Sequence, residues 1–214
     1  MTTQPPPPPP RPQILDTPAE VREQIWKELV RATHDRHHVW RTPVLATVNA
    51  QGRPNARTVV LRKASAADGG TIEIYTDRRS PKVSELMAQP SACLVFWSAR
   101  LSWQLRVAVD VSVQVEGPYI DSLWQNVKHT RAAGDYLGLL PPGQALPDEP
   151  IVSDVCTDDS CDDSTDDPSA TDTDQTVQFA VLTARVSEID WLELGRGQHR
   201  RAKIFDDQWQ WLAP

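Results

Sequence analysis

The stretch that decides the reading is Arg57-Thr58-Val59-Val60-Leu61-Arg62, followed by Ile72-Glu73-Ile74-Tyr75-Thr76 and then Ser80-Pro81-Lys82. Its β-branched and aromatic residues predict strands over 55–63 and 71–76, with a helix over 80–88 that Pro90 ends. Two Arg, a Tyr-Thr pair and a helix start bearing Ser and Lys thus come close together in sequence. Cations, hydroxyls and free N–H groups at a helix start together suit a phosphate. Arg57 and Lys82 are the leading candidates: an Arg fork grips phosphate bidentately, and Lys adds a point charge. Ser80 is expected to donate its hydroxyl while capping the helix that carries Lys82. Arg57 and Arg62 are five positions apart, so an unbroken strand would aim them at opposite faces. Either a bulge intervenes, or the ligand wraps along the strand end and a neighbouring subunit.

Outward from this stretch the texture is consistent. Thr17-Pro18-Ala19-Glu20 reads as a capping box with Pro at the first helical position. Val21, Ile25 and Leu29 repeat on one helical face, widened by Trp26 and Val30, so a helix should run to about Asp35. His34, His37 and His38 follow its end; a solvated helix terminus is the expected role, and no metal site. Strands are predicted at 43–49 and 91–97. Residues 101–116 alternate almost without interruption (Leu101, Trp103, Leu105, Val107, Val109, Val111, Val113, Val115), the pattern of a long strand with one buried face. A helix over 119–137, with a break near Ala133-Gly134, precedes strands at 177–194, 200–205 and 208–212. About seven strands and three helices give a mainly β fold, a closed or nearly closed Greek-key-like barrel with flanking helices.

Composition sets the limits of that domain. Residues 1–12 hold seven prolines, six of them consecutive from Pro5 to Pro10, so 1–15 is expected to be a disordered polyproline tail. The net charge of −7 is concentrated in one place: 148–174 carries eleven acids and no Lys, Arg or His. Without that stretch 18 acids face 22 bases, a mildly basic body suited to an anionic ligand. The stretch is rich in Asp, Ser and Thr and is expected to be a disordered acidic insert, leaving 16–147 with 175–214 as a single domain. Cys93, Cys156 and Cys161 make no disulfide framework. No apolar run is long enough to span a bilayer, so a cytoplasmic protein without membrane or nucleic-acid partners is expected. No Ser-His-Asp set, Gly-rich nucleotide loop or zinc-spaced cluster competes for the chemistry.

The order Arg-x-Val-x-Leu-Arg/Lys, Tyr-Thr, Ser-x-Lys resembles the FMN site of the pyridoxamine 5'-phosphate oxidase family. Trp103-Gln104-Leu105-Arg106-Val107 and the ending Trp209-Gln210-Trp211-Leu212-Ala213-Pro214 extend the resemblance, which covers roughly Pro43 to Pro214. It implies an FMN-binding split barrel, a homodimer with FMN at the interface, and contacts from Arg57, Val60, Arg62, Tyr75, Thr76, Ser80, Lys82, Gln104 and Arg106. It further implies an oxidase in which a phosphorylated amine or alcohol reduces the flavin and oxygen reoxidises it with release of peroxide. No protein side chain is assigned a catalytic role, since the flavin carries the chemistry.

Several positions depart from the family pattern. Pro81 stands where the family has an arginine, and Arg62 where its closest members have Lys. Substrate charge would be supplied by Arg62, Lys128, Arg131 and Arg200. The family's Arg-x-His-x-Arg-Phe meets Arg200-Arg201-Ala202-Lys203-Ile204-Phe205, so Ala202 and Ile204 replace its His and second Arg. Arg201 or Lys203 could compensate only if the strand register shifts. An FMN-binding module or a flavin reductase without vitamin B6 activity is the alternative.

Overall fold

The computed structural model describes residues 17–146, 177–195, 197–205 and 208–214. The tail and the acidic insert foreseen at 1–15 and 148–174 lie outside the described residues. Helix α1 (Pro18–His34) opens with the expected capping box: the Glu20 N–H donates to Thr17 Oγ1 at 3.3 Å, and the Thr17 N–H donates to Glu20 Oε2 at 3.0 Å. Its apolar stripe of Val21, Ile25, Trp26, Leu29 and Ala32 is buried. The histidine expectation is corrected at one position. The His38 side chain is buried, with Nε2 2.7 Å from Glu28 Oε2 and Nδ1 accepting from the Trp40 N–H. Arg100 completes the pairing of Glu28 at 2.7 Å. A buried carboxylate needs such partners, so His38 ties α1 to the chain that follows it.

Nine strands are described, all pairing antiparallel. They are β1 (Val44–Val48), β2 (Pro54–Thr58), β3 (Leu61–Ser65), β4 (Thr71–Asp77), β5 (Ser91–Ser98) and β6 (Trp103–Gln114). After them come β7 (Phe179–Glu193), β8 (Arg200–Phe205) and β9 (Gln208–Leu212). The main path runs β2-β1-β5-β6-β7-β4-β3, with β8 and β9 continuing from β7. Its two end strands, β2 and β3, are successive in the chain and joined by Val59-Val60. The sheet therefore curls until both edges meet one segment, the split barrel the sequence foretold.

That closure corrects the single strand predicted over 55–63. The chain leaves β2 after Thr58, buries Val59, and begins β3 at Leu61 on the other side of the barrel opening. β-Propensity runs unbroken through Thr58–Leu61 and so concealed the corner. A bulge follows at once: Leu61 pairs with Ile74 and Lys63 with Glu73, leaving Arg62 as the extra residue. Bulges re-aim a side chain and often sit beside binding sites.

The inner face of β6 buries Trp103, Leu105, Val107, Val109 and Val111 against Trp40, Leu94, Phe96 and Trp191. Each large apolar side chain buried this fully contributes about 1.5–3 kcal/mol. Where α1 crosses the barrel, Gly70 is required twice over. Its φ is +109°, and a Cβ there would lie 2.3 Å from the Trp26 ring. Helix α2 (Pro81–Ala88) follows β4. The helix predicted over 119–137 is in fact α3 (Pro118–Val127) and a 3-10 turn over Arg131–Tyr136, with the break at 128–130 instead of Ala133-Gly134. A smaller apolar cluster of Ile120, Tyr136, Phe179 and Val181 holds α3 and this turn to the barrel. Phe179 packs edge-on against Tyr75 and Tyr136, at centroid distances of 5.2 and 5.1 Å.

Candidate functional site

β4, the corner before β3, and the 3-10 turn enclose a cavity of about 230 Å³. Val60, Arg62, Tyr75, Thr76 and Lys82 line it, all five anticipated from the sequence. Thr58, Val59, Asp77, Asp135, Tyr136 and Pro142 complete the lining and were not anticipated. Tyr136 and Asp135 come from a segment whose helical reading gave no sign that it faces β4. Pro142 arrives through Arg79, which pairs with Asp77 at 2.7 Å and donates to the carbonyls of Gly138 and Leu139. Arg79 thereby ties the loop after the turn to the end of β4.

At one end of the cavity Lys82 Nζ donates to Thr76 Oγ1 at 2.9 Å and to Ser80 Oγ at 2.6 Å. Thr76 and Ser80 are buried, and Ser80, unlike Thr76, is not among the cavity-lining residues. Burial, and after it the positive charge of Arg57, lowers the Lys82 pKa, with Asp77 and Glu85 opposing. An ammonium held at such a cost gains from an arriving anion. Ser80 occupies the N-cap of α2 but makes no side-chain cap bond, contrary to the expectation that it would cap the helix. Its oxygen is taken by Lys82 instead.

Also in the lining, the Arg62 guanidinium stands 5.6 Å over the Tyr75 ring. Arg62 Nε is buried and has no hydrogen-bond partner among the described residues. Burial raises the pKa of Tyr75 and of Tyr136, and Arg62 works against the rise in both. Both phenols stay protonated, and both residues line the cavity. A desolvated ammonium, the Thr76 hydroxyl and an orphaned guanidinium N–H form a donor set that fits a phosphate ester.

Arg57 has a different neighbourhood. Its Nη2 donates to Glu85 Oε2 at 2.8 Å and its Nη1 to Thr47 Oγ1 at 2.5 Å. Asn55 also donates to Glu85, at 2.9 Å. Burial pushes the Glu85 carboxyl up, yet hydrogen bonds from Thr47, Asn55 and Arg57 outweigh it and hold Glu85 below the usual range. Arg57 is not among the cavity-lining residues, and it reaches the site through its charge on Lys82. Glu85 lies on the helix that opens with Ser80, and as an ordinary helical Glu it offered no sequence signal.

Gln104 and Arg106 lie elsewhere. The register links Tyr75 to Val181 and Val181 to Gln114, ten residues along β6 from Gln104. At about 3.3 Å per residue that is roughly 33 Å of strand. Arg106 pairs with the buried Asp190, which also takes Arg201 at 2.8 Å. Burial pushes Asp190 up, and the two arginines hold it below the usual range. Gln104 and Arg106 sit on the outer face of the sheet, beside Trp97 and Val95. Trp97, Val44 and Val48 are exposed at 48%, 38% and 39%, an apolar strip running from β1 to β5.

The substrate-side residues also divide. Lys128 caps the end of α3 and is exposed; the side chain of Arg131 lies outside the described residues. Arg200 pairs with Glu193 and stacks 5.3 Å over the Trp191 ring, at the Gln104 end of the sheet. Ala202 and Ile204 are buried in the core, while Arg201 and Lys203 point outward to Asp190 and Glu188. The strand therefore does not shift register, and neither cation replaces the missing pair. Cys93 is half-buried, and burial pushes its thiol up, which suits packing and not reactivity.

Residues 23–114 match the model of the pyridoxamine 5'-phosphate oxidase FMN-binding domain. The pyridoxine/pyridoxamine 5'-phosphate oxidase of Thermosynechococcus vestitus is 40% identical over 82 residues, which cover 38% of this chain and 37% of that protein. The enzyme of the same name from Leptospira interrogans is 33% identical over 109 residues, 49% of this chain and 46% of that one. The matches thus span less than half the length of these relatives. A pyridoxamine 5'-phosphate oxidase-related, FMN-binding protein of Nostoc punctiforme superposes with a TM-score of 0.64 at 23% identity, over 94% of this chain and 100% of that one. PhzG of Burkholderia lata gives 0.62 at 17%, over 94% and 98%. At such identities the superpositions speak for the split-barrel fold.

Proposed function

We propose that this chain, whose residues 23–114 carry the FMN-binding domain of the pyridoxamine 5'-phosphate oxidase family, is an FMN-dependent oxidoreductase acting on a phosphorylated amine or alcohol with oxygen as acceptor. The observation that carries this reading is the donor set at the cavity: Lys82 with Thr76 and Ser80, and the buried, unpartnered Nε of Arg62. These residues would hold the FMN phosphate, with Tyr75, Tyr136 and Val60 bounding the chain that leads to the ring. Bound flavin supplies hydride acceptance from substrate and reoxidation by oxygen. The protein contributes binding, orientation and positive charge. Arg57 is a positioning residue here, its charge adding to the field at Lys82.

The working unit in this reading is a cytoplasmic homodimer. A cavity of about 230 Å³ lies below the roughly 300–1,000 Å³ usual for small-molecule sites, so one chain offers part of a site. Gln104, Arg106 and Arg200 stand at the far end of the sheet next to an exposed apolar strip. A second copy seated on that strip would bring its own Gln104 and Arg200 toward the cavity of the first. No helix among the described residues is long and apolar enough to cross a membrane.

A second reading has its own support. Ala202 and Ile204 are buried core residues in an unshifted strand, so part of the family's substrate clamp is missing. A flavin reductase, or an FMN-binding module without vitamin B6 activity, needs no such clamp. Anaerobic mixing of the FMN-loaded protein decides between them. Bleaching of the flavin by pyridoxamine phosphate, followed by peroxide release on admission of oxygen, supports the oxidase. Bleaching by reduced nicotinamide alone supports the reductase and removes the oxidase reading.

A further inference from the structure

A second cavity, larger than the one beside Lys82, lies on another part of the described residues. A groove of about 910 Å³ runs along α1 against the β8–β9 hairpin and shares no lining residue with the flavin cavity. Pro18, Trp26 and Val30 form one wall; Ala66, Ile204 and Trp209 face them. We propose that this groove is the docking site for the chain's own proline run, Pro5–Pro10.

Three observations support it. The first is length. The α1 wall from Pro18 to Val30 covers twelve residue steps, about 18 Å at 1.5 Å each. Six prolines in a polyproline II helix extend about 19 Å at 3.1 Å each. The second is position. The described chain begins at Thr17, immediately before the groove's first wall residue. The seven residues from Arg11 to Thr17 can span up to about 24 Å, enough for the run to fold back along α1.

The third is chemistry. Proline-rich chain docks into aromatic-lined grooves, where its rings pack on indoles and its carbonyls accept hydrogen bonds. Trp26 and Trp209 supply the indoles. The run is stiff before it docks, so ordering it costs little entropy, and its tether gives it an effective concentration on the order of millimolar.

The test is ¹⁹F NMR of the full chain labelled with 5-fluorotryptophan, its eight resonances assigned by single Trp→Phe variants. Replacing all of Pro5–Pro10 by Gly and Ser should move the Trp26 and Trp209 signals and leave Trp40, Trp103 and Trp191 in place. A synthetic peptide of residues 1–16, added at about millimolar concentration to match the tether, should bring the two signals back. Val30→Asp in the otherwise unchanged chain should shift the same pair. Unmoved Trp26 and Trp209 signals after the replacement would overturn the proposal. So would signals that follow protein concentration and ignore the replacement, since a second copy would then cover the groove.

Discussion

Lys82→Met is the substitution that bears most directly on the donor set. It removes the ammonium and keeps an aliphatic stem of similar length, so the packing at the start of α2 survives. The wild-type ammonium donates to Thr76 and Ser80 and carries a desolvation cost that a phosphate would offset. Losing one charge-assisted contact of this kind costs about 2 kcal/mol, or a thirtyfold rise in the Kd for FMN. Quenching of flavin fluorescence on titration measures it, with riboflavin as the control. Riboflavin lacks the phosphate and should bind wild type and variant alike. pH adds a second readout. The pKa of Lys82 is lowered, first by burial and then by Arg57. Between that lowered value and the ordinary lysine value the unfolded chain binds a proton that the folded chain lacks. Stability of the FMN-free protein therefore rises with pH across that window. FMN affinity runs the other way, falling as pH rises through the lowered pKa and the ammonium discharges. Lys82→Met should show neither trend. An FMN affinity within about threefold of wild type, with riboflavin unaffected, would refute the assignment.

Three further outcomes are expected. Glu85→Ala should destabilise the fold by about 3 kcal/mol in urea denaturation, because it strands the half-buried Arg57 and the buried Thr47. In wild type, the contribution of Glu85 is present above the ordinary Glu pKa and lost as pH falls through its lowered folded value, so the variant should show a shallower acid limb. If the proposed dimer forms through the exposed strip, Trp97→Arg should leave only monomer in sedimentation and weaken FMN binding in step, whereas a change at an exposed site outside the strip, such as Met87→Arg, should do neither. Gly70→Ala should cost about 3 kcal/mol in thermal or urea unfolding, since it adds strain at φ +109° to an overlap with Trp26.

Much of the architecture was legible because the strands obey a period of two. The alternation of Leu101 to Val115 gave β6 and its buried face directly, and Thr17-Pro18 with Glu20 fixed the start of α1. The corner at Val59-Val60 was illegible: β-branched residues favour strand on both sides of it, and only the closure of the barrel bends the chain there. That one corner separates Arg57 from Arg62 and, with the bulge at Arg62, decides which arginine lines the cavity. Val60, Arg62, Tyr75, Thr76 and Lys82 were readable because they lie close together in sequence. Asp135, Tyr136 and Pro142 were not, because a turn and a loop bring them in from some sixty residues away, held by Arg79. Glu85 was hidden for a different reason. A Glu in a helix reads as surface charge until the fold sets Arg57, Thr47 and Asn55 around it.

The most direct measurement is a crystal structure of the protein grown with FMN. The phosphate oxygens should lie within hydrogen-bonding distance, about 3 Å, of Lys82 Nζ and of Thr76 Oγ1 or Ser80 Oγ. The ring should leave the cavity past Tyr75 toward Gln104 of a second copy. A phosphate seated away from Lys82, Thr76 and Ser80, or a flavin enclosed by a single chain, would contradict the proposed site.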